Sequence, residues 1–178
     1  MAPGKPRKDW ERQNSMNPKP KPEKQVKEKR KYHKKSPRQK LETELDGVVK
    51  EIVLARDNGC VCPPPPSGHS NARQPGHLIS RRVKTLRWDL RNVHEQCSSC
   101  NLKHNTRPEI YTKRFIQSFG TVAFYDLERD SKPVKIQEYE LEELLGQMKL
   151  IREKQIDNPE WKPYFSQADI LSGAWSKK

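Results

Sequence analysis

The 178-residue chain carries 36 Lys and Arg against 23 Asp and Glu, a formal net charge of +13 at neutral pH, and only 31% of its residues are hydrophobic. That apolar share allows one modest core. No apolar run is long enough for a membrane span, and none follows the basic start as a secretory signal requires, so a cytoplasmic protein is expected. The charge excess points to a polyanionic partner, nucleic acid first, because each Lys or Arg that meets a phosphate releases a condensed counterion.

The charge is concentrated at the start. Residues 1–40 hold fifteen Lys or Arg, four Asp or Glu and six prolines. Such a segment cannot bury enough surface to offset its chain entropy, so a disordered basic tail is expected. It reads as a solvated arm, as a DNA tether centred on residues 27–35, or as a nuclear localisation signal.

From Leu41 the pattern turns helical. Leu45, Val49, Ile52 and Val53 share one face, and Asn58-Gly59 supplies a stop. Residues 60–75 are rich in proline and read as an irregular loop or ribbon. Residues 77–79 and 85–88 read as two short strands that pair as a hairpin. A helix around Cys97 stops before Pro108. The next is placed from Thr106, with Glu109 completing a capping box, to Gly120, its stripe made by Tyr111, Phe115, Ile116 and Phe119. A last helix, 133–155, faces Ile136, Leu141, Leu144, Leu145, Met148 and Ile151 inward. Residues 157–178 scatter Trp161, Tyr164, Phe165 and Trp175 among polar neighbours and read as a C-terminal appendage or contact segment.

The four cysteines come in pairs. Cys97 and Cys100 have the two-residue gap that lets both thiolates reach one tetrahedral Zn²⁺, and Cys60 and Cys62 would complete a four-sulfur structural site. One residue between Cys60 and Cys62 is tighter than usual, so His69 is a substitute ligand should one of them be free. Four free thiols are the plainer alternative.

Phosphodiester hydrolysis needs a base to activate water and a divalent cation to take up charge on the phosphate. His77, uncrowded after Gly76, suits the base. Asn92 is placed where its amide could pin the loop that carries His77. Asn101 directly follows the second zinc cysteine, and in a helix it shares a face with His104 and Asn105. Arg81, Arg82, Lys84, Arg87 and Lys103 form a candidate DNA-binding groove.

The run Gly76-His77, Leu86-Arg87-Trp88-Asp89, Asn92 to Cys97, Cys100-Asn101, Tyr111 and Gly120 resembles the NinG (Rap) recombination nucleases of lambdoid phages. The zinc knuckle followed at once by asparagine is similar to endonuclease VII and the HNH superfamily. The resemblance spans about residues 45–155. It implies an α+β fold: a small zinc-stapled ββα-metal (HNH, or His-Me finger) core with flanking helices. The domains are then tail 1–40, nuclease domain 41–156 and appendage 157–178.

It also implies a metal-dependent, structure-selective endonuclease acting on branched DNA such as Holliday junctions. His77 would activate water and Asn101 would hold Mg²⁺ or Mn²⁺. Gly76 stands where many HNH sites have a second metal ligand, so His104 first, then Asn105 or Asp89, is expected to supply it; His94 is expected to be structural. Symmetric junction cutting suggests a homodimer, and recombination proteins are candidate partners. The rival expectations are a general, sequence-specific or nicking HNH nuclease and a non-catalytic zinc module that binds branched DNA.

Overall fold

The computed structural model describes residues 34–62, 68–104 and 106–177. The expected disorder of residues 1–33, the proline run 63–67 and the proposed ligand Asn105 lie outside the described residues. In chain order the elements are α1 (Pro37–Arg56), β1 (Arg73–His77), α2 (Lys84–Arg87), β2 (Val93–Cys97), α3 (Ser98–His104), α4 (Pro108–Phe119), α5 (Thr121–Asp130), α6 (Glu138–Asp157) and α7 (Gln167–Leu171), closed by a 3-10 turn at Ala174–Lys177. Among the described residues the fold is α+β, with one two-stranded sheet.

Helix α1 starts inside the stretch read as tail. Ser36 accepts from the Gln39 N–H, the Gln39 side chain takes the Ser36 N–H, and Pro37 fills the first helical position, so three local signals agree on the start. Its face of Leu45, Val49, Ile52 and Val53 packs against Leu141, Leu144, Leu145, Met148 and Ile151 of α6. The same core takes in Trp88, Leu90 and Val93, and from the C-terminal segment Phe165, Ile170 and Trp175. Trp161 and Leu171 pack against the same core, which thus draws in five side chains of the C-terminal segment.

A second cluster gathers Leu78, Leu86, Tyr111, Phe115 and Leu127 with Cys62, Cys97 and Cys100 around the ribbon, α4 and α5. Arg56, buried at the end of α1, ties that helix to β2 and to the C-terminal segment. It donates to the carbonyls of Leu90 (2.6 Å), Pro163 (3.1 Å) and Val93 (2.7 Å), and pairs with Asp57. A buried guanidinium is tolerable because nearly every N–H has an acceptor.

The hairpin is not the one read from the sequence. β1 pairs antiparallel with β2, Arg73 opposite Cys97 and His77 opposite Val93, whereas residues 84–87 form one helical turn. Leu86 and Trp88 from that turn enter different cores, which a strand in the ribbon would not allow. Pro75 sits in β1 at no cost to the ladder. Its partner Glu95 takes its N–H to Asp57 (2.8 Å) and its carbonyl to the Val61 N–H (2.9 Å), so the missing proline N–H is not called for.

One further expectation is corrected, and one helix end holds. Thr106 does not cap α4: its hydroxyl donates to the Lys103 carbonyl, and the helix starts at Pro108. Gly120 ends α4 at φ +87°, but α5 begins at the next residue.

Candidate metal centre and adjoining cleft

The end of β2 and the start of α3 bring Cys97 and Cys100 together, and the chain on either side of the proline run adds Cys60 and His69. The ligand atoms of these four residues lie within 4.8 Å of one another. His69 Nδ1 is 3.5 Å from Cys97 Sγ and 3.8 Å from Cys100 Sγ. A tetrahedral zinc with Zn–S of about 2.3 Å and Zn–N of about 2.0 Å places its ligands about 3.5–3.8 Å apart, so a Cys₃His set of this shape fits a metal such as zinc.

Cys62, read as a ligand, is outside the group. It is buried beside Cys60, and its sulfur accepts from Gln96 Nε2 at 3.3 Å. His69 takes the place the sequence reading gave it as the substitute.

The thiols are poised unequally. The hydrogen bond from Cys62, working against burial, brings the Cys60 thiol down to about 5. Burial raises Cys97, but hydrogen bonds from Ser99, the Cys100 backbone and His69 bring it to about 6. Burial and the neighbouring Cys97 push Cys100 up to about 12. The thiolate form is thus favoured at Cys60 and Cys97 and disfavoured at Cys100, and the remaining thiol protons leave when a metal binds.

Helix α3 runs from the metal group to a neighbouring cleft. Asn101 follows Cys100, and with His104 it lines a cavity of about 530 Å³ together with His77, Asp46, Ser80, Arg81 and Arg87. Val49, Pro75, Leu78 and Pro108 complete the wall. His77 Nε2 lies 2.9 Å from the Arg87 carbonyl, which only accepts, so Nε2 carries the hydrogen and Nδ1 is the unprotonated nitrogen. Burial pushes this imidazole below its ordinary value, against the pull of the Arg87 carbonyl.

Asn92 does not enter the cleft. Fully buried, it donates to the carbonyls of Ile79 and Leu86, both at 2.9 Å, and accepts from the Ile79 N–H at 2.8 Å. It pins the loop that follows His77, which is the part the sequence reading gave its amide.

Gly76 has a packing reason. A Cβ there would stand 2.0 Å from Gln96 Oε1, because the Gln96 side chain crosses this residue on its way to Cys62. His94, opposite Gly76, is buried. The Tyr111 hydroxyl donates to the Gly76 carbonyl at 3.4 Å and lies 2.9 Å from His94 Nδ1, so Nδ1 is the protonated nitrogen, and Nε2 has no partner among the described residues. Burial, with Arg56 nearby, brings His94 down to about 3.

The basic candidates divide. Arg81 and Arg87 pair with Asp46, and Lys84 and Arg87 with Glu42. The Asp46 carboxylate accepts four hydrogen bonds, including Trp88 Nε1 at 2.9 Å; burial alone would raise it, but Arg87, Arg81 and Trp88 hold it below the ordinary range. Arg82 and Lys103 are exposed and have no ion pair among the described residues. Asp89, a proposed second ligand, is instead buried away from the cleft and bound by Arg91 and the Gln167 N–H.

The sequence matches the family model described as Bacteriophage Lambda NinG protein over residues 3–158. The chain belongs to the NinG family. That match takes in the metal group and every cleft residue, and membership suggests a phage recombination-related role. No curated protein and no solved structure matches the chain. No helix among the described residues is long and apolar enough to cross a membrane.

Sequence reasoning missed Asp46 and Gln74. Asp46 sits on the polar side of an amphipathic helix, where a carboxylate is ordinary. Gln74, whose Oε1 accepts from Asn101 Nδ2 at 2.9 Å, lies in a stretch read as loop.

Proposed function

We propose that this NinG protein is a metal-dependent, structure-selective DNA endonuclease of the HNH type, acting on branched recombination intermediates such as Holliday junctions. One observation carries the reading: His77 and Asn101, distant in sequence, line the same cleft, and Asn101 follows directly on Cys100 of the metal group.

His77 is neutral at pH 7 and accepts a proton from water at Nδ1, while the Arg87 carbonyl holds the ring by Nε2. A divalent cation, Mg²⁺ or Mn²⁺, would neutralise the charge that develops on the phosphate and leaving oxygen. The cleft suits an ion that keeps most of its water and borrows phosphate oxygens. Asn101 offers an amide oxygen and His104 an imidazole, while Asp46 is already saturated by its four donors. Arg82 and Lys103 meet the DNA backbone. Arg81 joins them by leaving Asp46, an exchange that costs little because this pair is solvent-exposed.

The second reading is a non-catalytic zinc module that binds branched DNA, and the saturation of Asp46 favours it. Cleavage of a labelled four-way junction and of matched linear duplex, with Mn²⁺, Mg²⁺ or EDTA, separates the readings. Junction cutting that needs the cation and vanishes in His77→Ala supports the endonuclease. Equal cutting of the duplex makes it a general HNH nuclease, and tight junction binding without cutting makes it a binding module.

A further inference from the structure

We infer that Gln74 is the positioning residue of the cleft, turning the oxygen of the Asn101 amide toward the divalent cation. This rests on the nuclease reading above. Gln74 lies in β1, three residues before His77; Asn101 lies in α3, one residue after Cys100. Their side chains meet in one hydrogen bond, Asn101 Nδ2 to Gln74 Oε1 at 2.9 Å. It joins the strand that carries the base to the helix that carries the cation ligand.

An asparagine amide has an accepting end and a donating end, and rotation about its last torsion exchanges them with little resistance. Only the oxygen can hold a cation; an NH₂ group in its place would meet the ion with partial positive charge. With its nitrogen engaged by Gln74, Asn101 leaves Oδ1 as the end without a partner among the described residues, in a residue that lines the cleft. Gln74 is half-buried and stands opposite Gln96 in the ribbon. Removing the acceptor frees the amide to turn. Partners of this kind, one step behind a metal ligand, typically change metal affinity by about 10- to 100-fold.

The test uses the full-length, zinc-loaded protein as wild type, Gln74→Met and Gln74→Glu. The first variant has no comparable acceptor, whereas the second can only accept. Mn²⁺ is titrated while its paramagnetic broadening of the Asn101 side-chain NH₂ resonances is followed, these being assigned by their loss in Asn101→Ala. The half-saturating Mn²⁺ for junction cutting is read alongside. Gln74→Met is expected to need roughly 10-fold more Mn²⁺ in both readouts, with the cutting rate at saturating metal near that of wild type. Gln74→Glu is expected to match wild type, which loss of folding would not produce.

The inference is overturned if Gln74→Met behaves as wild type in both readouts. It is overturned equally if Gln74→Glu loses as much as Gln74→Met, because Gln74 would then be needed as a donor. Wild-type protein that cuts no junction and shows no Mn²⁺ effect at Asn101 would instead remove the nuclease reading, and this inference with it.

Discussion

The helical layer and the metal-side ribbon keep their shape by different means. In the first, α1 and α6 bury a continuous apolar face, with Leu45, Ile52, Leu141, Leu144, Met148 and Ile151 wholly inaccessible to solvent. The second cluster has eight buried residues, and three of them are cysteines. A ribbon of two five-residue strands is at best marginal alone, so on that side a metal held by Cys60, His69, Cys97 and Cys100 would supply what apolar burial does not. The comparison teaches where chemistry can be placed: His77 and Asn101 stand on the ribbon side, their backbones set by a small number of strong constraints.

Arg56 is the sharpest place to break the arrangement, since it serves both regions. Arg56→Met would strand the Leu90, Val93 and Pro163 carbonyls and leave Asp57 unpaired. A loss of about 3–5 kcal/mol in chemical denaturation is expected, with the ribbon and the C-terminal segment loosening together.

His94 distinguishes the regions by pH. Its folded value, about 3, lies below the ordinary 6.5, so the unfolded chain takes up the proton first. The His94 contribution is complete above pH 6.5 and is lost as pH falls toward 3, with a slope of up to about 1.4 kcal/mol per pH unit. His94→Phe keeps the ring among Phe115, Phe119 and Tyr164 without the titration. Its unfolding free energy should therefore fall less steeply than that of wild type across this window, and parallel curves would remove His94 as the cause.

Gly76→Ala probes the ribbon directly. The new Cβ would collide with the buried Gln96 side chain, and a loss of about 1–3 kcal/mol by thermal unfolding is expected. The smallest effect belongs to Cys62→Ser, which should retain full zinc content by elemental analysis and lose about 1 kcal/mol, whereas His69→Ala should lower zinc affinity measurably. Zinc loss in Cys62→Ser with retention in His69→Ala would restore the four-cysteine assignment.

The helical layer was legible because its signal is periodic: the α1 and α6 stripes read from the sequence are the residues that pack. The ribbon was less so. Residues 85–88 have strand-like composition, but whether Trp88 and Leu86 part company is decided by two separate cores. Pro75 fell in a proline-rich stretch read as loop or ribbon, and the diversion of Glu95 to Asp57 and Val61 is what makes it acceptable in β1. α5 was hidden by Gly120, although Ala123, Phe124 and Leu127 have helical spacing. Phe165, Ile170 and Trp175 are too irregularly spaced to show in sequence that one core takes all three. In the cleft, His77, Asn101 and His104 were legible as residue types in a recognised order. Gln74 and Asp46 were not, because their significance lies in what they touch.

Metal bound at the Cys₃His group would hold the ribbon side, and with it the cleft, whereas the helical layer holds itself. Amide hydrogen exchange on the zinc-loaded protein, before and after removal of zinc by a chelator, tests this most directly. The account predicts that β1, β2 and α3 lose protection while α1 and α6 keep theirs. Undiminished protection in the ribbon, or equal loss in both regions, would contradict it.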